Sequence, residues 1–256
     1  MCKSWFTRED ISWPHSKYTF LLEGINDYPG TSHDLSGCVN DIALAVSKTY
    51  NFQHREFLNS QVTVRRTKDQ LNYLIDNCQP GDVIWWQYSG HGSYVKDLNN
   101  DEIDGVDETL YLYDGNLIDD DTNAILDRVP EDVLMVVFLD SCFSGGAARN
   151  NPLKYKSRFV QPNIPVPNHV RLKNAVSRGH NRIVFSACKE TETAADALIN
   201  NQWNGAFSFY LWNTYNPTLT YRQWFNNLLN YLPNENFSQT PTIEGPDHLL
   251  DKLILT

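Results

Sequence analysis

The chain is predicted to be a three-layer α/β sandwich built around a mainly parallel sheet. Two observations carry this. Apolar strand-like runs alternate with segments of helical period along the whole sequence, the pattern of βα units. Two of those runs are almost wholly apolar, as strands buried on both faces are. They are Val83-Ile84-Trp85-Trp86-Gln87 and Val133-Leu134-Met135-Val136-Val137-Phe138-Leu139.

Taken in order, Tyr18 to Ile25 reads as a first strand, closed by the turn Asn26-Asp27-Tyr28-Pro29-Gly30. Glu23 is out of place within it, which suggests an edge, a strand end or a paired carboxyl. A helix follows from about Val39 to Tyr50, with Ile42, Ala45, Val46 and Thr49 on one face. Gln61 to Arg65 is a short strand candidate. Thr67-Lys68-Asp69-Gln70 has capping-box form and opens a helix whose apolar face is Leu71, Leu74 and Ile75. The Trp-rich strand begins after the turn Pro80-Gly81-Asp82. Leu110 to Tyr113 is β-like, Asp121 to Val129 helical, and Arg182 to Cys188 another buried strand. Ala206–Thr214 and Tyr221–Leu232 are expected to be helices. With 256 residues and no internal repeat, a single domain over 1–256 is expected, with a short extension at 1–17 and a loop-like segment at 147–181.

Composition narrows the function. Hydrophobic residues make up 41% of the chain, enough for a packed core. No run is long enough to span a membrane, and the first ten residues hold no apolar leader. A cytoplasmic protein is expected. The formal charge of −10 argues against nucleic acid as a partner. Five cysteines at scattered spacings make neither a disulfide framework nor a zinc motif.

Charge is unevenly spread. Residues 97–121 hold ten acidic side chains, and residues 149–182 hold eight basic ones with no acid. The two blocks flank the run that ends at Leu139.

The chemistry centres on two short strings, Tyr88-Ser89-Gly90-His91-Gly92 and Asp140-Ser141-Cys142-Phe143-Ser144-Gly145. Each follows an apolar strand, so His91 and Cys142 stand where buried strands end and the chain turns outward. In open α/β sheets reactive groups gather at such carboxyl ends. An imidazole beside a thiol can take its proton, then return it to a leaving amine. The N–H groups of Gly92 and Cys142 are the natural candidates for an oxyanion hole.

These residues resemble the metacaspases and bacterial orthocaspases, within the caspase-like cysteine peptidases. YSGHGS at Tyr88–Ser93 is similar to the family's histidine motif, and DSCFSG at Asp140–Gly145 to its cysteine motif. Phe143 stands where members usually carry His. Further likeness lies in Gly37-Cys38-Val39-Asn40-Asp41, Asp101–Glu108, Ser186-Ala187-Cys188, Ala194-Ala195-Asp196-Ala197 and Gly205-Ala206-Phe207-Ser208. The resemblance implies a caspase-hemoglobinase fold and a cysteine endopeptidase with His91 as base and Cys142 as nucleophile.

It also implies cleavage after Arg or Lys through an acidic S1 pocket at Asp41, Ser89 and Asp140. Taken without the family, Asp41 reads better as a helix cap and Asp140 as a strand-end turn former. Calcium as an activator is implied at Asp107, Asp119 and Asp120, with Arg149 standing where a fourth acid is expected. The basic segment offers self-cleavage sites, with Arg158, Arg171, Lys173 and Arg178 as candidates. No cofactor is required for the chemistry, and the family favours a monomer acting on peptides with a basic P1 residue. The rivals are a silent caspase-like adaptor and a peptidase of the same clan with another P1 preference.

Overall fold

The computed structural model describes residues 15–97, 105–143, 155–164, 180–189 and 192–255. The chain opens with β1 (Tyr18–Gly24), α1 (Cys38–Lys48), β2 (Gln53–Leu58), α2 (Val64–Asn77) and β3 (Val83–Ser89). A meander follows, β4 (His91–Lys96), β5 (Val106–Leu112) and β6 (Gly115–Ile118), then α3 (Asp119–Leu126) and β7 (Leu134–Asp140). Next come β8 (Tyr155–Ser157), β9 (Arg182–Ser186), β10 (Ala195–Ile199) and β11 (Gln202–Gly205). The chain finishes with α4 (Ala206–Asn213), α5 (Tyr221–Leu228), β12 (Thr242–Glu244) and α6 (Asp247–Leu250).

Six strands form the central sheet in the order β12-β9-β7-β3-β1-β2, all parallel except β12 at one edge. Alternation along each strand divides the core in two. Phe20, Trp85, Val136, Phe138 and Phe185 face the layer of α1, α4, α5 and α6, where Trp212 and Trp224 meet them. Leu21, Ile84, Trp86, Met135, Val137 and Val184 face the layer of α2 and α3. The result is the three-layer sandwich expected. Two small sheets, β4-β5-β6 and β11-β10-β8, stand beside the main one.

From β1 the chain goes to β2 on one side, then crosses to β3 on the other. Strand order therefore reverses at β1, and clefts in open sheets form at such reversals. β3 and β7 are neighbours with Ser89 opposite Asp140 in register. His91 and Cys142 each lie two residues beyond that pair, so the sheet brings the two strings to one place.

The edge of the sheet differs from the sequence reading. Gln61 to Arg65 is not a strand: Thr63 is the extended N-cap of α2, its hydroxyl accepting from the Arg66 N–H at 3.2 Å. β-branched Val62, Thr63 and Val64 give this entry a strand-like look. Thr67 is thus inside the helix rather than its cap. The strand is the polar segment Gln53–Leu58, which pairs only with β1 at the sheet edge and buries little. Glu23 lies at the end of β1, wholly buried, and accepts from the Thr67 hydroxyl (2.7 Å) and the Trp86 indole N–H (2.9 Å). Burial pushes its carboxyl up to about 7, against both hydrogen bonds.

Candidate active site

At the end of β3 the chain passes through Gly90 into β4, and His91 is held from both of its backbone groups. Its N–H donates to the Tyr28 hydroxyl and its carbonyl accepts from Tyr88, each at 2.9 Å. The ring lies 4.8 Å from that of Tyr28. Nε2 is 2.6 Å from the His33 carbonyl oxygen. A carbonyl only accepts, so Nε2 carries the proton and Nδ1 keeps its lone pair. Nδ1 is buried with no hydrogen-bond partner.

Cys142 is also fully buried, its Sγ 4.0 Å from the Ser157 hydroxyl. Burial pushes the thiol up to about 12 and the His91 imidazole down to about 4, so both are neutral in this structure. The two strings touch through Gly92. A Cβ there would sit 2.1 Å from the Cys142 carbonyl oxygen. Only glycine allows that approach.

Lying across both strings is a stretch of the chain's own basic segment. Arg158 is 0% exposed, and its carbonyl oxygen accepts from the N–H of Gly92 (3.0 Å) and of Cys142 (3.2 Å). Those are the two donors nominated from sequence for an oxyanion hole. The guanidinium enters a closed pocket. Nη2 meets Asp41 at 2.7 Å and Asp196 at 3.1 Å, while Nη1 lies 3.1 Å from the Asp140 carboxylate. Nη1 also donates to the Asp140 carbonyl at 3.1 Å.

The pocket carboxylates are each held by further donors. Asp41 accepts from the Gly205 N–H and the Asn204 amide, Asp140 from the Ser208 N–H, and Asp196 from the N–H groups of Ser36 and Gly37. A Cβ at Gly205 would fall 2.1 Å from Asp140 Oδ2 and 2.6 Å from Arg158 Nη1. Burial alone would lower the guanidinium, but the surrounding carboxylates outweigh it and hold Arg158 protonated well above its ordinary value. Burial, reinforced by Asp140, pushes Asp41 up against the pull of Arg158.

The caspase-domain family model matches residues 20–252. Metacaspase-1 of Meyerozyma guilliermondii is 30% identical, over 88% of this chain and 68% of the relative. Metacaspase-1 of Schizosaccharomyces pombe is 28% identical, over 90% and 67%. The chain belongs to the metacaspase-like caspase family. A crystal structure of a Geobacter sulfurreducens protein superposes with a TM-score of 0.73 at 24% identity, covering 94% of this chain and 99% of the other, and shows the shared fold. This metacaspase-like chain is a cysteine-type peptidase on a caspase-hemoglobinase fold, acting on protein or peptide substrates.

Several sequence expectations land elsewhere in the metacaspase framework. Ser89 is buried beside Asp140 as its register partner, but its hydroxyl accepts from the Gln87 amide rather than from Arg158. The loop-like reading of 147–181 is corrected at β8, which pairs with β10 and leads straight into the buried Arg158. Charge neutralisation in an acidic pocket draws this basic residue inward, where composition alone reads as solvated loop. Arg171, Lys173, Arg178 and Arg149 lie outside the described residues.

For calcium, Asp107 on β5 and Asp119 at the start of α3 are buried while Asp120 is exposed. Among the described residues no three His, Cys, Asp or Glu side chains are grouped to hold a metal. Asp101, Glu102 and Asp104 of the same acidic block lie outside the described residues. Among the described residues no helix is long and apolar enough to cross a membrane.

The sequence reading gives Asp196 no role in the pocket and does not name His33. Asp196 carried a signal, a lone acid in the apolar stretch Ala194-Ala195-Asp196-Ala197. His33 acts through its backbone carbonyl, which no residue type announces.

Proposed function

We propose that this chain is an endopeptidase that cuts after Arg or Lys with a His91/Cys142 dyad, and that its own Arg158–Phe159 bond is a substrate. One observation carries the reading: Arg158 puts its side chain among three buried carboxylates and its carbonyl oxygen between two N–H donors beside the Cys142 thiol. That is the posture of a residue about to be cleaved at its carbonyl.

The Cys142 proton passes to His91 Nδ1 as Sγ attacks the Arg158 carbonyl carbon. The developing oxyanion is held by the N–H groups of Gly92 and Cys142. His91 then protonates the departing Phe159 nitrogen, leaving a thioester between Cys142 and Arg158. Water, deprotonated by His91, hydrolyses the thioester and restores the thiol. The His33 carbonyl keeps the imidazole in the required tautomer, a task given to a carboxylate in serine-protease triads. Because the thiol and the imidazole are both neutral while buried, the first turnover is slow. Release of the segment lets water reach the pair and favours the thiolate–imidazolium form.

Asp41, Asp140 and Asp196 select the P1 cation. A guanidinium matches their geometry, and an ammonium their charge. An acidic P1 residue would add a fourth carboxylate to a buried pocket, at a prohibitive cost in repulsion and desolvation.

The test is direct. On incubation, wild-type chain yields two fragments, the second beginning at Phe159 by amino-terminal sequencing, while Cys142→Ala stays intact. The wild type also hydrolyses fluorogenic peptides ending in Arg or Lys. Cleavage after Asp or Asn with none after Arg or Lys overturns the assignment.

A further inference from the structure

We infer that the cleft selects an extended strand rather than a single basic residue, and that the resident segment Tyr155–Val160 spells out the preference: aromatic, Lys, small, Arg at P1, then aromatic and aliphatic on the far side of the cleaved bond. The inference rests on the peptidase reading above and goes beyond it to the other subsites.

The backbone of the segment is gripped on both sides of the Arg158–Phe159 bond. Upstream, Tyr155, Lys156 and Ser157 run antiparallel to β10, opposite Ala197, Asp196 and Ala195. The Arg158 N–H donates to the Ala194 carbonyl at 3.1 Å. Downstream, the Val160 N–H donates to the Gly92 carbonyl at 3.0 Å, and its own carbonyl accepts from the Ser93 hydroxyl at 2.8 Å. The segment is an added strand whose main-chain bonds give affinity and whose side chains give selectivity.

Side chains alternate between two walls. Arg158 and Lys156 share one. The Lys156 ammonium donates to the Asp34 carbonyl (2.9 Å) and the Ser36 hydroxyl (3.1 Å), and sits 5.6 Å over the Trp203 ring. The same short loop closes the P1 pocket, because the N–H groups of Ser36 and Gly37 hold Asp196. One loop therefore serves two cations. On the other wall Ser157 faces the Cys142 thiol, where a larger side chain would crowd the nucleophile. Tyr155 packs edge-on against Phe237 at 6.2 Å. Phe159, the first residue past the bond, stacks on Tyr94 at 5.9 Å with the rings 26° apart. Val160 is 8% exposed.

The test uses internally quenched hexapeptides built on Tyr-Lys-Ser-Arg-Phe-Val, with full-length protein as enzyme and cleavage at the Arg–Phe bond alone counted, from the masses of the products. Any resident segment still in place competes equally with every peptide, so ratios of kcat/KM are unaffected. Glu for Lys at P3 lowers kcat/KM about ten-fold. Asp for Phe at P1′ does so by a similar factor. Pro for Val at P2′ removes the donor to Gly92 and costs about ten-fold or more. In Trp203→Ala the Lys-to-Glu ratio at P3 shrinks toward one. Rates equal within about two-fold across the series overturn the inference and leave the peptidase reading standing. Failure to cleave even the parent peptide overturns that reading, and the inference with it.

Discussion

Gly92 does three things at once. Its N–H and that of Cys142 hold the Arg158 carbonyl, its own carbonyl receives the Val160 N–H, and its missing side chain lets the Cys142 backbone approach. Any Cβ pushes against a backbone carbonyl rather than a flexible tip, so strand and loop must part. Gly92→Ala is expected to lower kcat by about 10²–10³, the worth of one oxyanion donor, while the protein stays folded. Steady-state kinetics beside a thermal melt would check this, and unchanged kcat would remove Gly92 from the hole. The legibility of the site divides along the same line. His91, Cys142, Gly92, Asp41 and Asp140 were found because each stands in a recognisable string. Asp196 stands in such a string too, but its place in the pocket, like that of the His33 carbonyl, depends on what the fold carries up against it.

Among the elements, the strands that are easiest to read are those buried on both faces, β3 and β7, where burial favours apolar residues on both sides and the polar positions gather toward the carboxyl end. β2 was missed because an edge strand with one neighbour tolerates Gln53, His54, Arg55 and Glu56. The helical layer of α4 and α5 meets the sheet through aromatics. Trp224 stacks on Trp85 at 5.8 Å and lies 5.5 Å from both Trp212 and Phe185. α5 is only eight residues long, too short to persist without this packing. Trp224→Ala should therefore cost about 3–5 kcal/mol, the range for removing a large aromatic from a close-packed core. Urea unfolding reads the loss directly; a shift under about 1 kcal/mol would mean that the layer repacks around the gap.

The whole molecule stores charge in its interior, and its stability should depend on pH accordingly. Glu23, with an ordinary value of 4.5, is pushed up to about 7 when folded. The folded state thus holds the proton more tightly than the unfolded chain. That contribution is complete below pH 4.5, declines as pH rises, and is gone above about 7. Its full size is roughly 3 kcal/mol as an order of magnitude. Glu23→Gln keeps a neutral amide that can accept from Trp86 and donate to Thr67, so it removes the dependence without emptying the site. Melting temperatures of wild type and variant at pH 5 and pH 8 should show a smaller drop for the variant. Equal drops would place the titration elsewhere, with Asp41 the next group to examine, since its carboxyl is shifted the same way.

What the sequence by itself determined is local: the period of strands and helices, the two catalytic-type side chains at strand ends, and the blocks of opposite charge. These follow from burial and from backbone geometry within a few residues of each position. What only the tertiary structure decided is that Arg158 sits in the acidic pocket. Asp41, Asp140 and Asp196 come from α1, β7 and β10, far apart along the chain. Three buried carboxylates require a cation, and which of many basic residues supplies it depends on which stretch can pair with β10 as it crosses the cleft. That choice is made by strand register and charge compensation together, and neither is written in the residues around Arg158.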